Sequence, residues 1–172
     1  MNKLLKRILK KSGAINRGAF PLQKIKSSKL SINIKKVLLH PESVKIIAKI
    51  INKKINKLDI DSIGGVAIGA DVILGALLQQ NRHPGFVIRK NPGKKNPLEG
   101  FLERGHRVVI VDDVVERGTS IKKAINLVEK AGGKVIKVIS VFDYQKSQKK
   151  NAEDILGKYD YESIFAIPDF FE

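Results

Sequence analysis

The sequence predicts an α/β fold built on an open, mostly parallel sheet flanked by helices, and three stretches carry that expectation. Residues 107–111 read as a strand whose unbroken apolar run, VVIV, suits burial on both faces of a parallel sheet. Ser120 then precedes IKKAINLVEKAGG, where Ile121, Ala124, Ile125 and Val128 share one helical face and Gly132-Gly133 supply the stop. The next strand follows at once as KVIKVISVF, residues 134–142. Strand, helix and strand in that order imply a right-handed crossover between parallel neighbours.

The remaining elements read in chain order. The opening MNKLLKRILKK is basic and amphipathic, and no acidic residue follows until Glu42. It suits a short surface helix packing Leu4, Leu5, Ile8 and Leu9; the same pattern also suits a targeting peptide. From Pro41, PESVKIIAKIINKKIN sets Val44, Ile47, Ala48, Ile51 and Ile55 at helical spacing behind a Pro-Glu-Ser start. LDIDSIGGVAIGAD gives a short strand that breaks into a glycine-rich turn, and Val72 to Gln80 form another helix. GFVIRK (85–90) is a further strand, and NPGKKNPLEGFLERGH, rich in Pro, Gly and Lys, reads as a mobile surface loop. YDYESIFAIPDFF supplies a last strand and a tail.

Composition narrows the chemistry. At 172 residues the chain fits one domain, 1–172. Lys and Arg number 33 against 17 Asp and Glu, a net charge of +16, which favours anionic partners such as phosphates or nucleic acid. The absence of cysteine excludes disulfides and thiolate metal sites, and three scattered histidines argue against zinc. No apolar run approaches a membrane span, so a soluble, cytoplasmic protein is expected.

VVIVDDVVERGTS (108–120) is the stretch with the most chemistry. Asp112 and Asp113 stand at the carboxyl end of a buried strand, where open α/β sheets bind their ligands. The turn that follows enters a helix, so its backbone amides and the Thr119 and Ser120 hydroxyls can converge on an anion. Carboxylates do not bind phosphate, but they accept hydrogen bonds from vicinal hydroxyls. A phosphate beside a diol describes a ribose 5-phosphate. Two adjacent aspartates can also merely cap a loop or pair with surface lysines; the whole string weighs against that simpler role.

That string resembles the phosphoribosyl pyrophosphate signature of the type I phosphoribosyltransferases. The resemblance extends through GAINRGAFPLQKIKSSKLSINIKKVLLHPE, DSIGGVAIGADVILGALL and FVIRKNPGKKNPLEG, and it points to the orotate branch. It implies a small hood from residues 1–40 and 146–172 around an α/β core at 41–145, a homodimer, and Mg²⁺-dependent transfer of ribose 5-phosphate to orotate with release of pyrophosphate. It also implies roles. Asp112 and Asp113 would hold the ribose hydroxyls, and Glu116, Arg117, Gly118, Thr119 and Ser120 would form the phosphate turn. Arg89, Lys90 and Lys94 or Lys95 would meet the pyrophosphate, with Lys26, Glu116 and Tyr144 on the side of the base.

The departures from the family pattern concentrate on the base. Lys24-Ile25 replaces a Ser-Gly, Leu30-Ser31 an aromatic pair, Glu116-Arg117 a threonine pair, and Tyr144 an arginine. The loop after residue 90 is short and has Lys95 or Asn96 near the position of the usual histidine. They imply altered orotate selectivity. A transferase for another base, a non-catalytic sensor of phosphoribosyl pyrophosphate and a nucleic-acid-binding protein are the competing expectations.

Overall fold

A computed structural model of the chain describes residues 2–11, 13–17, 30–93, 96–144 and 157–166. The N-terminal part contains α1 (Asn2–Lys11), the strands β1 (Ile15–Arg17) and β2 (Leu30–Ile32), and the short α2 (Ile34–Leu38). Then come α3 (Pro41–Ile55), β3 (Ser62–Val66), α4 (Gly69–Leu78), β4 (Gly85–Ile88) and β5 (Leu98–Gly100). The last group is β6 (Arg107–Val115), α5 (Thr119–Lys130), β7 (Lys134–Asp143) and β8 (Asp160–Ala166).

Six strands form one sheet in the order β5-β4-β3-β6-β7-β8, parallel except for β5, which runs antiparallel along β4. β1 and β2 make a separate antiparallel pair. The chain winds from β3 through α4 out to β4, then returns to the other side of β3 as β6 and winds through α5 to β7. Opposite winding directions put the helices on opposite faces. Val109 and Val111 therefore join Ile47, Ile51, Ile73 and Leu77 in one core, while Val108 and Ile110 join Ile121, Ile125 and Val128 in the other. The strand order reverses between β3 and β6, which opens a crevice at their carboxyl ends.

Local chemistry explains the helices. α3 starts on Pro41 with Glu42 in its first turn, both favourable at a helix N-terminus, and buries Ile46, Ile47, Ile50, Ile51 and Ile55. In α1, Leu5 and Leu9 are fully buried, whereas Leu4 lies on the exposed side. α2, which has no counterpart in the sequence reading, is a five-residue helix whose N-cap Asn33 accepts a hydrogen bond from Lys36 N at 3.2 Å.

Three expectations need correction. The predicted loop at 91–106 folds back as β5, with Arg89 N donating to Pro97 O at 2.8 Å, so β4 ends at Ile88 and gains an antiparallel edge partner. Three residues are too few to show an alternation. α4 begins at Gly69 rather than Val72, because Ala70 already belongs to its buried stripe of Ala70, Ile73, Leu74 and Leu77. β6 continues to Val115 instead of stopping at Val111: its pairing with β3 ends at Val111, but β7 holds it as far as Val115 opposite Asp143.

Phe142 is fully buried and stacks on Phe165 with ring centroids 5.5 Å apart, joining β7 to β8 behind the crevice. Phe142→Ala should therefore cost about 3–5 kcal/mol, seen as a lower urea midpoint with an unchanged slope.

Candidate active site

The extra residues of β6 create the site. Beyond Val111 the strand has a neighbour on one side only, so Asp112 to Val115 border the crevice. Successive side chains on a strand point to opposite faces, and this splits the acidic pair. Asp112 lies with Val108 and Ile110 on the α5 side; Asp113 reaches the α4 side, where its carboxylate packs over Gly69. A Cβ at position 69 would overlap that carboxylate, so any other residue there would have to displace the Asp113 side chain. The basic pair at the end of β4 divides the same way. Lys90 faces the α5 side with Phe86 and Ile88, and Arg89 turns to β5, gripping Glu99 through two 2.8 Å hydrogen bonds.

On the α5 side a cavity of about 300 Å³ is lined by Lys90, Asp112, Val114, Val115, the turn Glu116-Arg117-Gly118, and Thr119, Ser120 and Ile121. Gly118 is the N-cap of α5 in the left-handed region (φ 69°), and no side chain caps the helix. The first-turn amides therefore keep their capacity to bind an anion, reinforced by the helix dipole. Lys90 and Arg117 add positive charge at the wall.

Asp112 forms the buried end of this cavity and is only 1% exposed. Its Oδ1 accepts from Asp113 N at 2.9 Å; its Oδ2 is buried without a partner. Burial foremost, with the negative charge of Asp113, pushes the Asp112 carboxyl well above the usual carboxylate range, and Lys90 only partly opposes this. A buried acceptor without a donor is expensive, and a ligand hydroxyl in the cavity would supply one.

The sequence reading missed what lies behind Asp112. Asp143 ends β7 much as Asp112 borders the crevice on β6; it is also 1% exposed and accepts from the Tyr161 hydroxyl at 2.9 Å. Tyr161 also meets Ser140 Oγ at 2.9 Å, and burial drives its phenol upward. The only signal for Asp143 was a second apolar strand running into an aspartate; nothing marked Tyr161. Asp71, in the first turn of α4, was missed too. Its Oδ1 is buried without a hydrogen-bond partner, and burial raises its carboxyl against the pull of Arg89.

Of the residues singled out by sequence, the cavity gathers Lys90, Asp112, Glu116, Arg117, Gly118, Thr119 and Ser120. Asp113 and Arg89 stand on the other side of the sheet end. Tyr144 lies beside the turn, where its phenol oxygen accepts from Ile32 N at 3.1 Å. Lys26, Lys94 and Lys95 lie outside the described residues. Among the described residues no helix is long and apolar enough to cross a membrane.

This fold and its crevice have known relatives. The profile of the phosphoribosyl transferase domain matches residues 33–165. The orotate phosphoribosyltransferase of Methanocaldococcus jannaschii is 37% identical over 149 residues, covering 85% of this chain and 84% of that protein. That of Methanosphaera stadtmanae is 31% identical over 172 residues, covering 98% and 95%. The crystal structure of orotate phosphoribosyltransferase from Aeropyrum pernix is similar with a TM-score of 0.83 at 26% identity, covering 97% of this chain and 96% of that one.

A buried, ionisable Asp112 weakens the free protein at neutral pH. Its folded-state pKa lies above the unfolded one, so the folded state binds the proton more readily; the penalty sets in as pH rises through the unfolded pKa and is complete above the folded one. Asp112→Asn should raise the thermal midpoint by about 2–4 °C for each kcal/mol relieved. The gain over wild type should be largest above the folded-state pKa and vanish below about pH 4. Thermal unfolding of both proteins across pH checks this.

Proposed function

The chain belongs to the phosphoribosyl transferase family, and we propose that it is the orotate phosphoribosyltransferase of pyrimidine nucleotide synthesis, joining orotate to ribose 5-phosphate from phosphoribosyl pyrophosphate. The observation that carries the sugar-phosphate half is the pairing, in one cavity, of an uncapped helix N-terminus with a buried carboxylate oxygen that lacks a donor. The 5-phosphate sits on the amides and hydroxyls of residues 117–120. The ribose hydroxyls donate to Asp112 from the α5 side and to Asp113 from the α4 side. Similarity to orotate phosphoribosyltransferases over most of the chain supports the base.

Departure of pyrophosphate leaves positive charge on the ribose ring and gathers negative charge on the leaving group. Cations fixed near the leaving group stabilise that separation more than the ground state. In this reading Lys90 at the cavity wall takes this role, Arg89 joins it by exchanging Glu99 for phosphate oxygens, and Lys94 or Lys95 would close over them from the loop. Closure excludes water that would otherwise trap the ring cation.

Among the described residues no three His, Cys, Asp or Glu side chains cluster to hold a metal. The described residues thus offer no cage of their own, and Asp112 and Asp113 fit a hard cation that arrives on the substrate's phosphates. Mg²⁺ bound in that way would neutralise pyrophosphate charge. In this reading Glu116 and Tyr144 stand on the side of the base, and Lys26 would contact it. The reading carries with it a homodimer, the commonest closed assembly, and a cytoplasmic location.

Two outcomes test it. Pyrophosphate should be released with Mg²⁺, phosphoribosyl pyrophosphate and orotate in preference to uracil, hypoxanthine or adenine, and Asp113→Asn should weaken phosphoribosyl pyrophosphate binding by calorimetry. No wild-type binding at millimolar ligand would reject the site. Glu116 opposes the orotate carboxylate: at about 4 Å and an effective dielectric near 20 the repulsion is about 4 kcal/mol. Glu116 is exposed, so solvent screening leaves much less. Glu116→Thr should lower the orotate KM about tenfold; an unchanged KM would remove Glu116 from the base pocket.

A further inference from the structure

We propose that Tyr144 is a positioning residue that couples the phosphate turn to the N-terminal hairpin, so that filling one side of the crevice organises the other. Two hydrogen bonds place it. Its amide donates to Val115 O at 2.9 Å, immediately before the cavity-lining Glu116. Its phenol oxygen accepts from Ile32 N at 3.1 Å, bridging 112 positions of sequence. The ring packs against the larger apolar core, so the group is held at its backbone, its ring and its tip.

Each end of this strut is itself anchored. Ile32 closes β2 opposite Ile15 of β1, and the adjacent Asn33 donates to Ala14 O at 2.7 Å and caps α2. At the other end Glu116 sits close enough for its charge to raise the phenol further, after the dominant effect of burial. A tyrosine has two side-chain torsions and little freedom once its ring is packed, so displacement of the turn at 116–120 is passed to β2 rather than absorbed. This rests on the reading above, in which Lys26, between β1 and β2 in sequence, would contact the base. Tyr144 then acts on the base through the hairpin and does not touch it.

The test is Tyr144→Phe, which keeps the packed ring and removes only the acceptor. In the free variant, amide exchange at Ile32 should speed up by about tenfold or more while Val109 and Ile110 stay protected, since one hydrogen bond is lost in a folded protein. Mg²⁺ with phosphoribosyl pyrophosphate should slow exchange at Ile32 in wild type and not in the variant. In steady state, with the other substrate saturating, the variant should raise the KM for orotate about tenfold and, because the coupling is reciprocal, the KM for phosphoribosyl pyrophosphate by a similar factor. Unchanged exchange at Ile32, ligand protection that survives in the variant, or two unchanged KM values would overturn the proposal. A wild type that releases pyrophosphate with no base would instead overturn the orotate reading, and the exchange measurements would still decide the role of Tyr144.

Discussion

The crevice depends on β6 outrunning β3. Where the strand order reverses, one neighbour leaves at Val66 and the other continues, so β6 keeps its ladder to β7 up to Val115 while its opposite edge opens. A strand with one free edge can still alternate its side chains across the sheet, and that alternation distributes the chemistry. Asp112 and Lys90 go to the α5 side; Asp113 and Arg89 go to the α4 side. A ligand lying across the sheet end is met from both faces at once, with the N-terminus of α5 beneath one part of it. A compact site on one face could not use adjacent residues of a single strand in this way.

Burying Asp112 is the cost of that arrangement. The carboxyl is almost fully enclosed, one oxygen has no donor, and the neighbouring Asp113 adds like charge. The surroundings do not relieve it: the Tyr161 hydroxyl is committed to Asp143 and Ser140. Stability and recognition pull in opposite directions here, as expected where a binding group is held ready in a poorly solvated place. The apolar layers on both sides of β6, fully buried from Val108 to Val111, supply what the carboxylate takes away.

How much of this was legible follows from the range of each interaction. α3, α5, β6 and β7 announce themselves because their buried stripes repeat within ten or so residues, and the motif at 108–120 is contiguous. β5 hides in a loop pattern because three residues between Pro97 and Phe101 carry no period, and α2 leaves no signal because five residues barely complete a turn. Arg89 and Lys90 looked equivalent in sequence. Their difference depends on β5 bringing Glu99 alongside β4, a pairing set by tertiary register rather than by composition. Tyr161 and the Tyr144–Ile32 bond are long-range contacts of single side chains, and no local pattern encodes them.

The basic bias of the chain acquires a definite meaning against this geometry. A net charge of +16 favours the approach of any polyanion, yet the deepest polar group of the cavity is an acid. Phosphate alone gains from Lys90, Arg117 and the α5 N-terminus and leaves the Asp112 oxygen unsatisfied. Nucleic acid has phosphate and sugar, but its ribose 3′ oxygen is esterified and DNA lacks the 2′ hydroxyl, so neither presents a free vicinal diol along the chain. A small phosphorylated sugar with unblocked neighbouring hydroxyls answers both demands and, unlike a polynucleotide, could offer one hydroxyl to each carboxylate of the acidic pair. The field of the protein therefore favours anions broadly, while a buried carboxyl with one oxygen lacking a donor favours those that carry a hydroxyl beside the phosphate.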